Sequence, residues 1–251
     1  MHHRKDITLN ILMVLAMLTW GLSWTNAKIL GQYADAPLIM VWRFFFASLS
    51  FAPLLKISGD SLKLSKENIY FILGNSLCMV SYNYFYFKGT QIGLAGAGGV
   101  LVTTLNPILT TLFSGLFFSG IIKRKDWIGL GLGLVGGAFI IRFWEMDLSY
   151  IVQSGNLFFI LASLSWVCVT IITSRSNNTI PFMAYSFWSF TFACLISIPI
   201  SLNENLLIVF NFDRIFWLNL IMLSVLAMSF GTSIYFLASL KLGPKRSSSF
   251  I

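Results

Sequence analysis

Six stretches of this chain run without a single charged side chain: 7–27, 68–87, 89–122, 148–174, 176–203 and 215–240. A helix needs roughly 20 predominantly apolar residues to cross a hydrocarbon core of ~30 Å. Only helices and closed barrels satisfy their backbone in lipid, and barrel strands would show as short alternating segments instead. A soluble protein with an unusually apolar core is excluded by the charge supply. Only 10% of the 251 residues are charged, against about a quarter in a soluble domain. The fold class expected is an all-α integral membrane protein, a multi-pass helical bundle.

Eight helices are expected, over approximately 7–30, 37–56, 68–88, 93–120, 126–143, 152–174, 181–202 and 214–240. The fifth is short of charge-free length, with fifteen uncharged residues between Asp126 and Arg142, five of them glycine. The opening "MHHRKD" resembles the basic start of a signal peptide. The apolar run behind it is of span length and no small-residue cleavage site closes it, so it reads as a retained first helix. Basic residues concentrate on the cytoplasmic side. With the N-terminus inside, that side receives Arg4, Lys5, Lys56, Lys63, Lys66, Lys123, Arg124, Lys125, Arg175, Lys241, Lys245 and Arg246. The other side keeps Lys28, Lys88, Arg142 and Arg214. The expected setting is the cytoplasmic membrane with a cytoplasmic N-terminus. The net charge of +8 then reflects topology, and nucleic acid is not an expected partner.

The chain also repeats itself weakly. "LAMLTWGLSWT" echoes "LASLSWVCVTI", bringing Trp20 over Trp166, and "APLIMVWRFFFA" echoes "IPFMAYSFWSFT", bringing Pro37 over Pro181. "YFYFKGTQIGLAGAGG" echoes "IYFLASLKLGPKRSSS", with Gly93 over Gly243. Matches in the same order point to internal duplication. An odd number of spans per unit inserts the second copy upside down, the construction of many secondary transporters.

At "WGLSW", "PLIMVWRF" and "YFKGTQIGLAGAGGVLVTTLNPILT" the chain resembles the EamA-domain family of the drug/metabolite transporter superfamily. The resemblance implies two inverted five-helix repeats around a central cavity. On that pattern residues 1–147 form the first repeat and 148–251 an incomplete second one, with eight spans present of an expected ten. The chain reads as truncated, since two more spans need about forty residues.

"GLAGAGG" resembles a phosphate loop, but it lacks the preceding strand and a following Lys-Ser/Thr. On a helix, Gly96, Gly99, Thr103, Asn106, Thr110 and Ser114 share one stripe. Its glycine end suits close helix packing, and its polar end suits the bundle interior. Pro107 in the same helix removes a backbone donor. Similar mixed faces place Trp20, Trp24 and Asn26 in the first helix, and Tyr82, Asn83 and Tyr86 in the third. Trp166 in the sixth and Tyr235 in the eighth complete them. Aromatic rings with a few polar groups suit an amphipathic organic ligand; the plainer reading is bundle core and interfacial belt.

Arg43 is the one charge well within an expected span. Such a charge is a functional candidate by default, while a long side chain near a helix end also snorkels to the interface; the structural role is the simpler reading. The substrate-binding set expected is thus Trp20, Trp24, Asn26, Arg43, Tyr82, Asn83, Tyr86, Thr103, Asn106, Trp166 and Tyr235. No Asp or Glu lies deep in a span, so coupling through a membrane carboxylate is not visible. Cys78, Cys168 and Cys194 lack metal-type spacing and read as small buried hydrophobes. No metal, cofactor or catalytic group is expected, and an enzyme is disfavoured because the spans lack convergent nucleophiles or carboxylates. The leading expectation is a carrier of small organic metabolites, amino acids and related compounds among them, working by alternating access. The competing one is a non-transporting membrane fragment or assembly partner.

Overall fold

The computed structural model describes residues 2–59, 61–117, 124–140, 143–145, 147, 155–176 and 180–251, and among them no strand occurs. The helices are α1 (His2–Leu30), α2 (Ala36–Leu49) continued by α3 (Phe51–Ser58), α4 (Lys66–Ile92) and α5 (Ala95–Phe117). They continue as α6 (Arg124–Ile140), α7 (Asn156–Arg175), α8 (Phe182–Ile200), α9 (Arg214–Leu242) and the short α10 (Pro244–Ser248). Among the described residues, six helical segments are long and apolar enough to cross a membrane: Ile7–Leu30, Ala36–Lys56, Ala95–Gly115, Asn156–Arg175, Phe182–Ile200 and Arg214–Leu242. The chain is a multi-pass membrane protein. The expected third and fifth spans are helical too, as α4 and α6. In α4 the inward side carries Asn75, Ser76 and Asn83, which lowers its mean hydropathy. In α6 the apolar part is only Trp127–Phe139.

Local chemistry sets the helix ends. Ser65 caps α4 by accepting from the Asn68 amide at 3.2 Å. Asp213 caps α9, accepting from the amides of Ile215 and Phe216 at 3.0 Å each, and takes a third bond from the Tyr33 hydroxyl at 2.9 Å. The Phe216 amide, first among these donors, holds the Asp213 carboxyl below the usual carboxylate range. Pro107 lies inside α5 without ending it. Within α9 the stretch Met222–Thr232 is wound more widely, as a π-helix.

The helices pair mainly as α4 with α7, α2 with α8, α5 with α7, and α1 with α9. Large rings fill the centre: Tyr86, Tyr185, Tyr235, Phe44, Phe159 and Phe236 are all fully buried. Close approach depends on residues without side chains. A Cβ at Gly98 of α5 would meet the Phe159 ring at 2.4 Å, and one at Gly89 of α4 would meet it at 2.5 Å. The ring of α7 is therefore wedged between α4 and α5 at that level. Gly155 turns the chain into α7 with a left-handed φ of 78°, and its Cα side faces the Gly89 carbonyl.

Two expectations from the sequence are corrected here. The packing glycine of "GLAGAGG" is Gly98, on the α7 side; Gly96 faces open space. The stripe assigned by helical spacing put Gly96 with Gly99, and only Gly99 meets a neighbour, the Trp24 ring at 3.5 Å. Of the cysteines expected to be buried, Cys168 is exposed and Cys78 and Cys194 are half-buried.

Replacing Gly98 with leucine is expected to lower the thermal unfolding temperature of the detergent-solubilised protein, at an overpacking cost of about 1–3 kcal/mol. Gly96→Ala is expected to be neutral or slightly stabilising, since alanine is the better helix former. Equal behaviour of the two variants would show that Phe159 does not wedge there.

Candidate functional site

A cavity of about 230 Å³ lies where α1, α2, α4, α5, α7 and α9 meet. Its walls include Met17, Trp20, Gly21 and Trp24 of α1, Arg43 of α2 and Tyr82 of α4. Val102, Thr103 and Asn106 of α5, Trp166 of α7, and Met228 and Thr232 of α9 complete most of the lining, with Ser23 and Ile251. This is small for a ligand site, where volumes of roughly 300 Å³ and upward are usual. A wider and more open hollow of about 850 Å³ adjoins it through Thr103, lined by Thr104, Pro107, Gly133, Lys245, Arg246 and Ser249 among others.

The rings of the cavity brace one another. Trp20 meets Trp166 edge to face at 4.9 Å between centroids, and Tyr82 meets Trp166 at 4.8 Å. Trp20 is fixed further by its indole N–H, which donates to the Ala227 carbonyl at 2.9 Å. That carbonyl belongs to the widely wound part of α9. Gly231 on the same stretch leaves room for the ring: a Cβ there would stand 2.7 Å from Trp20 Nε1. On the side of the α1 C-terminus the cavity is roofed by Trp24 against Tyr86 at 4.8 Å and Phe159 at 5.8 Å. Beyond that roof Lys28 donates to three carbonyls at the end of α4 and the following turn: Thr90 at 2.8 Å, Gln91 at 3.2 Å and Gly93 at 2.9 Å.

Arg43 does not snorkel to an interface. It is 5% exposed, lines the cavity, and donates from Nη1 to Asn83 Oδ1 at 2.6 Å. Its guanidinium carbon sits 5.5 Å from the centroids of both Tyr86 and Phe87. The Asn83 amide is itself held by donating to the Met79 carbonyl at 2.8 Å, so its oxygen is aimed at the arginine. Asn106 is held from the other side, its Oδ1 accepting from Ser163 at 2.6 Å.

Seven of the eleven residues selected from the sequence line this cavity: Trp20, Trp24, Arg43, Tyr82, Thr103, Asn106 and Trp166. Three stand behind it. Asn83 holds Arg43; Tyr86 donates to the Ser23 carbonyl at 2.7 Å; Tyr235 shares a hydrogen bond with Thr170 at 2.9 Å and packs on Trp20 at 5.2 Å. Asn26, half-buried on α1, is not part of the lining. Met17, Gly21 and Thr232 were not selected, although Met17 lies one turn before Trp20 and Gly21 one turn before Trp24. The selection favoured polar and aromatic types and so passed over the small and apolar wall.

The EamA-like transporter family model matches residues 8–142. The probable amino-acid metabolite efflux pump of Salmonella typhimurium is 26% identical over 216 residues, covering 81% of this chain and 65% of that protein. The uncharacterized transporter YoaV of Bacillus subtilis is 26% identical over 173 residues, 68% of this chain and 59% of that one. The S-adenosylmethionine uptake transporter of Rickettsia bellii is 23% identical over 181 residues, 70% and 59% respectively. The chain thus spans about three fifths of the length of these curated relatives, between 59% and 65%. A solved crystal structure superposes with a TM-score of 0.65 at 16% identity, covering 97% of this chain and 86% of that one, a likeness of fold.

Asn83→Ala is expected to remove the hydrogen-bonded partner of Arg43 and lower stability by about 1.5–3 kcal/mol, the usual worth of a hydrogen bond to a charged group. Thermal unfolding of the purified protein checks it. A variant as stable as the parent would mean that the two ring faces alone accommodate the guanidinium.

Proposed function

The chain belongs to the EamA-like transporter family, and we propose that it moves small organic metabolites across the cytoplasmic membrane by alternating access, using the cavity around Trp20, Arg43 and Trp166. The observation that carries this reading is the cavity itself. Helices from both halves of the chain contribute to it, and its wall is aromatic with a few fixed polar groups, the usual make-up of a small-molecule site. One relative is named for efflux of amino-acid metabolites and another for uptake of S-adenosylmethionine. What the two names share is a small metabolite.

Within this reading the eight long helices, α2 and α3 counting as one, all span the membrane, with the N-terminus inside. Residues 1–147 and 148–251 form inverted units. The pairing of helices supports it. Exchanging the units turns the α4–α7 contact into the α9–α1 contact, and both are extensive. Trp20 and Trp166, which the internal repeat superposes, touch each other at 4.9 Å. Two such copies give states of similar energy open to opposite sides.

In proteoliposomes, counterflow of labelled phenylalanine and S-adenosylmethionine tests the reading, with Trp20→Ala and Asn106→Ala as the site variants. Both variants are expected to lower flux at least tenfold while inserting normally. Unchanged flux in both would remove the cavity from the transport route, and absence of flux in the parent for every metabolite tried would remove the function.

A further inference from the structure

Among the polar groups that line the cavity one, Arg43, is a permanent cation. An arginine side chain keeps its charge in proteins. Among the described residues it has a single hydrogen-bond acceptor, the neutral oxygen of Asn83. Its Nε is buried with no hydrogen-bond partner. Two aromatic faces at 5.5 Å attract the guanidinium but do not neutralise it. Trp166 adds a second donor: its Nε1 is also buried without a bonded acceptor, though the Tyr235 hydroxyl is close to it. Asn106 uses its oxygen on Ser163, which leaves its NH₂ as the end able to serve a ligand. Among the described residues no Asp or Glu side chain lines the cavity, and none lines the adjoining hollow, where Lys245 and Arg246 stand.

Burying an unneutralised charge is costly, and the cost is relieved when a counter-charge with good hydrogen-bond geometry arrives. A guanidinium presents parallel N–H groups that match the two oxygens of a carboxylate. Cations gain from the rings alone, but they meet Arg43 in the same small space. From this geometry we infer that the cavity selects solutes bearing a carboxylate or similar oxyanion on a small apolar or aromatic body. The oxyanion is bound by Arg43 and the body lies among Trp20, Trp24, Tyr82 and Trp166. The inference rests on the cavity being the substrate site; it adds the charge that the substrate must carry.

The test uses three probes of one size with the purified chain in phosphatidylcholine nanodiscs: 3-phenylpropionate, its uncharged amide 3-phenylpropionamide, and the cation phenethylamine. Binding is read from tryptophan emission, to which the three cavity indoles contribute. The expected order is propionate first, amide at least tenfold weaker, and amine without measurable binding. Arg43→Gln is expected to bring the propionate down to the level of the amide. Because that change also unties Asn83, Thr103→Asp serves as the second variant. It leaves Arg43 in place and supplies a carboxylate within the cavity, and it is expected to abolish propionate binding.

Equal affinity for propionate and amide, or preference for the amine, would overturn the charge selection and leave the transport reading standing. Binding of none of the three, together with no counterflow of any metabolite, would overturn both. Displacement of the propionate when phosphatidylglycerol replaces part of the phosphatidylcholine would assign the anion to a lipid headgroup and overturn the solute reading.

Discussion

Lipid offers no hydrogen bonds, so every polar group on these helices must find its partner inside the bundle or at a helix end. Most of the hydroxyls solve this locally, bonding a carbonyl three or four residues back on their own helix, as Ser76 does to Ile72 at 2.8 Å and Thr170 to Trp166 at 2.9 Å. Longer polar side chains reach across helices. Asn75 donates to Ser189 at 3.1 Å and accepts from Thr173 at 3.3 Å, tying α4 to α8 and α7. Such ties are worth only about 0.6 kcal/mol each on average in membranes. Their value is in register, since each fixes which turn of one helix faces which turn of the next.

Against that background the groups left without partners are informative. Thr110 and Ser114 have buried hydroxyls without acceptors or donors toward the far end of α5. At the cavity the Arg43 Nε–H is buried without an acceptor, and the Trp166 indole N–H has the Tyr235 hydroxyl close to it. Of the seven such atoms among the described residues, which include Asn10 Oδ1, Ser186 Oγ and Ser233 Oγ elsewhere, these two N–H groups belong to residues of one cavity wall. The same residues are positioned with care: Arg43 by Asn83, Trp166 by contact with Trp20, Tyr82 and Tyr235.

The helices were legible in the sequence because lipid imposes one dominant rule, and runs without charge mark where it applies. The boundaries agree within a few residues for Ile7–Leu30 and Ala36–Lys56. The ring-bearing faces of α1, α4 and α7 were legible too, because spacing alone decides which side chains share a face. Tertiary neighbours were not. Spacing grouped Gly96 with Gly99, yet the ring that approaches α5 meets Gly98. It aligned Asn83 with Tyr82 and Tyr86, and could not show that Asn83 serves Arg43 instead of the cavity. For Arg43 itself the helix position permitted either an interfacial or an interior end, and only the packing of Tyr86 and Phe87 around it decides.

One end of the cavity is closed by three successive layers, and their order bears on how a carrier of this design would open. Nearest the cavity is Trp24, with the rings of Tyr86 and Phe159 packed against it. Next, Phe159 is wedged between Gly89 and Gly98. Last, Lys28 of α1 holds the end of α4 by three carbonyls. The layers join α1 and α7 to the last turns of α4, the first turn of α5 and, through Gly93, the turn between them. On the transport reading proposed above, release toward that side requires α1 and α7 to part from the facing ends of α4 and α5. The ring contacts are apolar and repack at little cost, whereas the lysine must exchange three charge-assisted bonds for water. That exchange is cheap only at an interface, which is where the end of α1 lies.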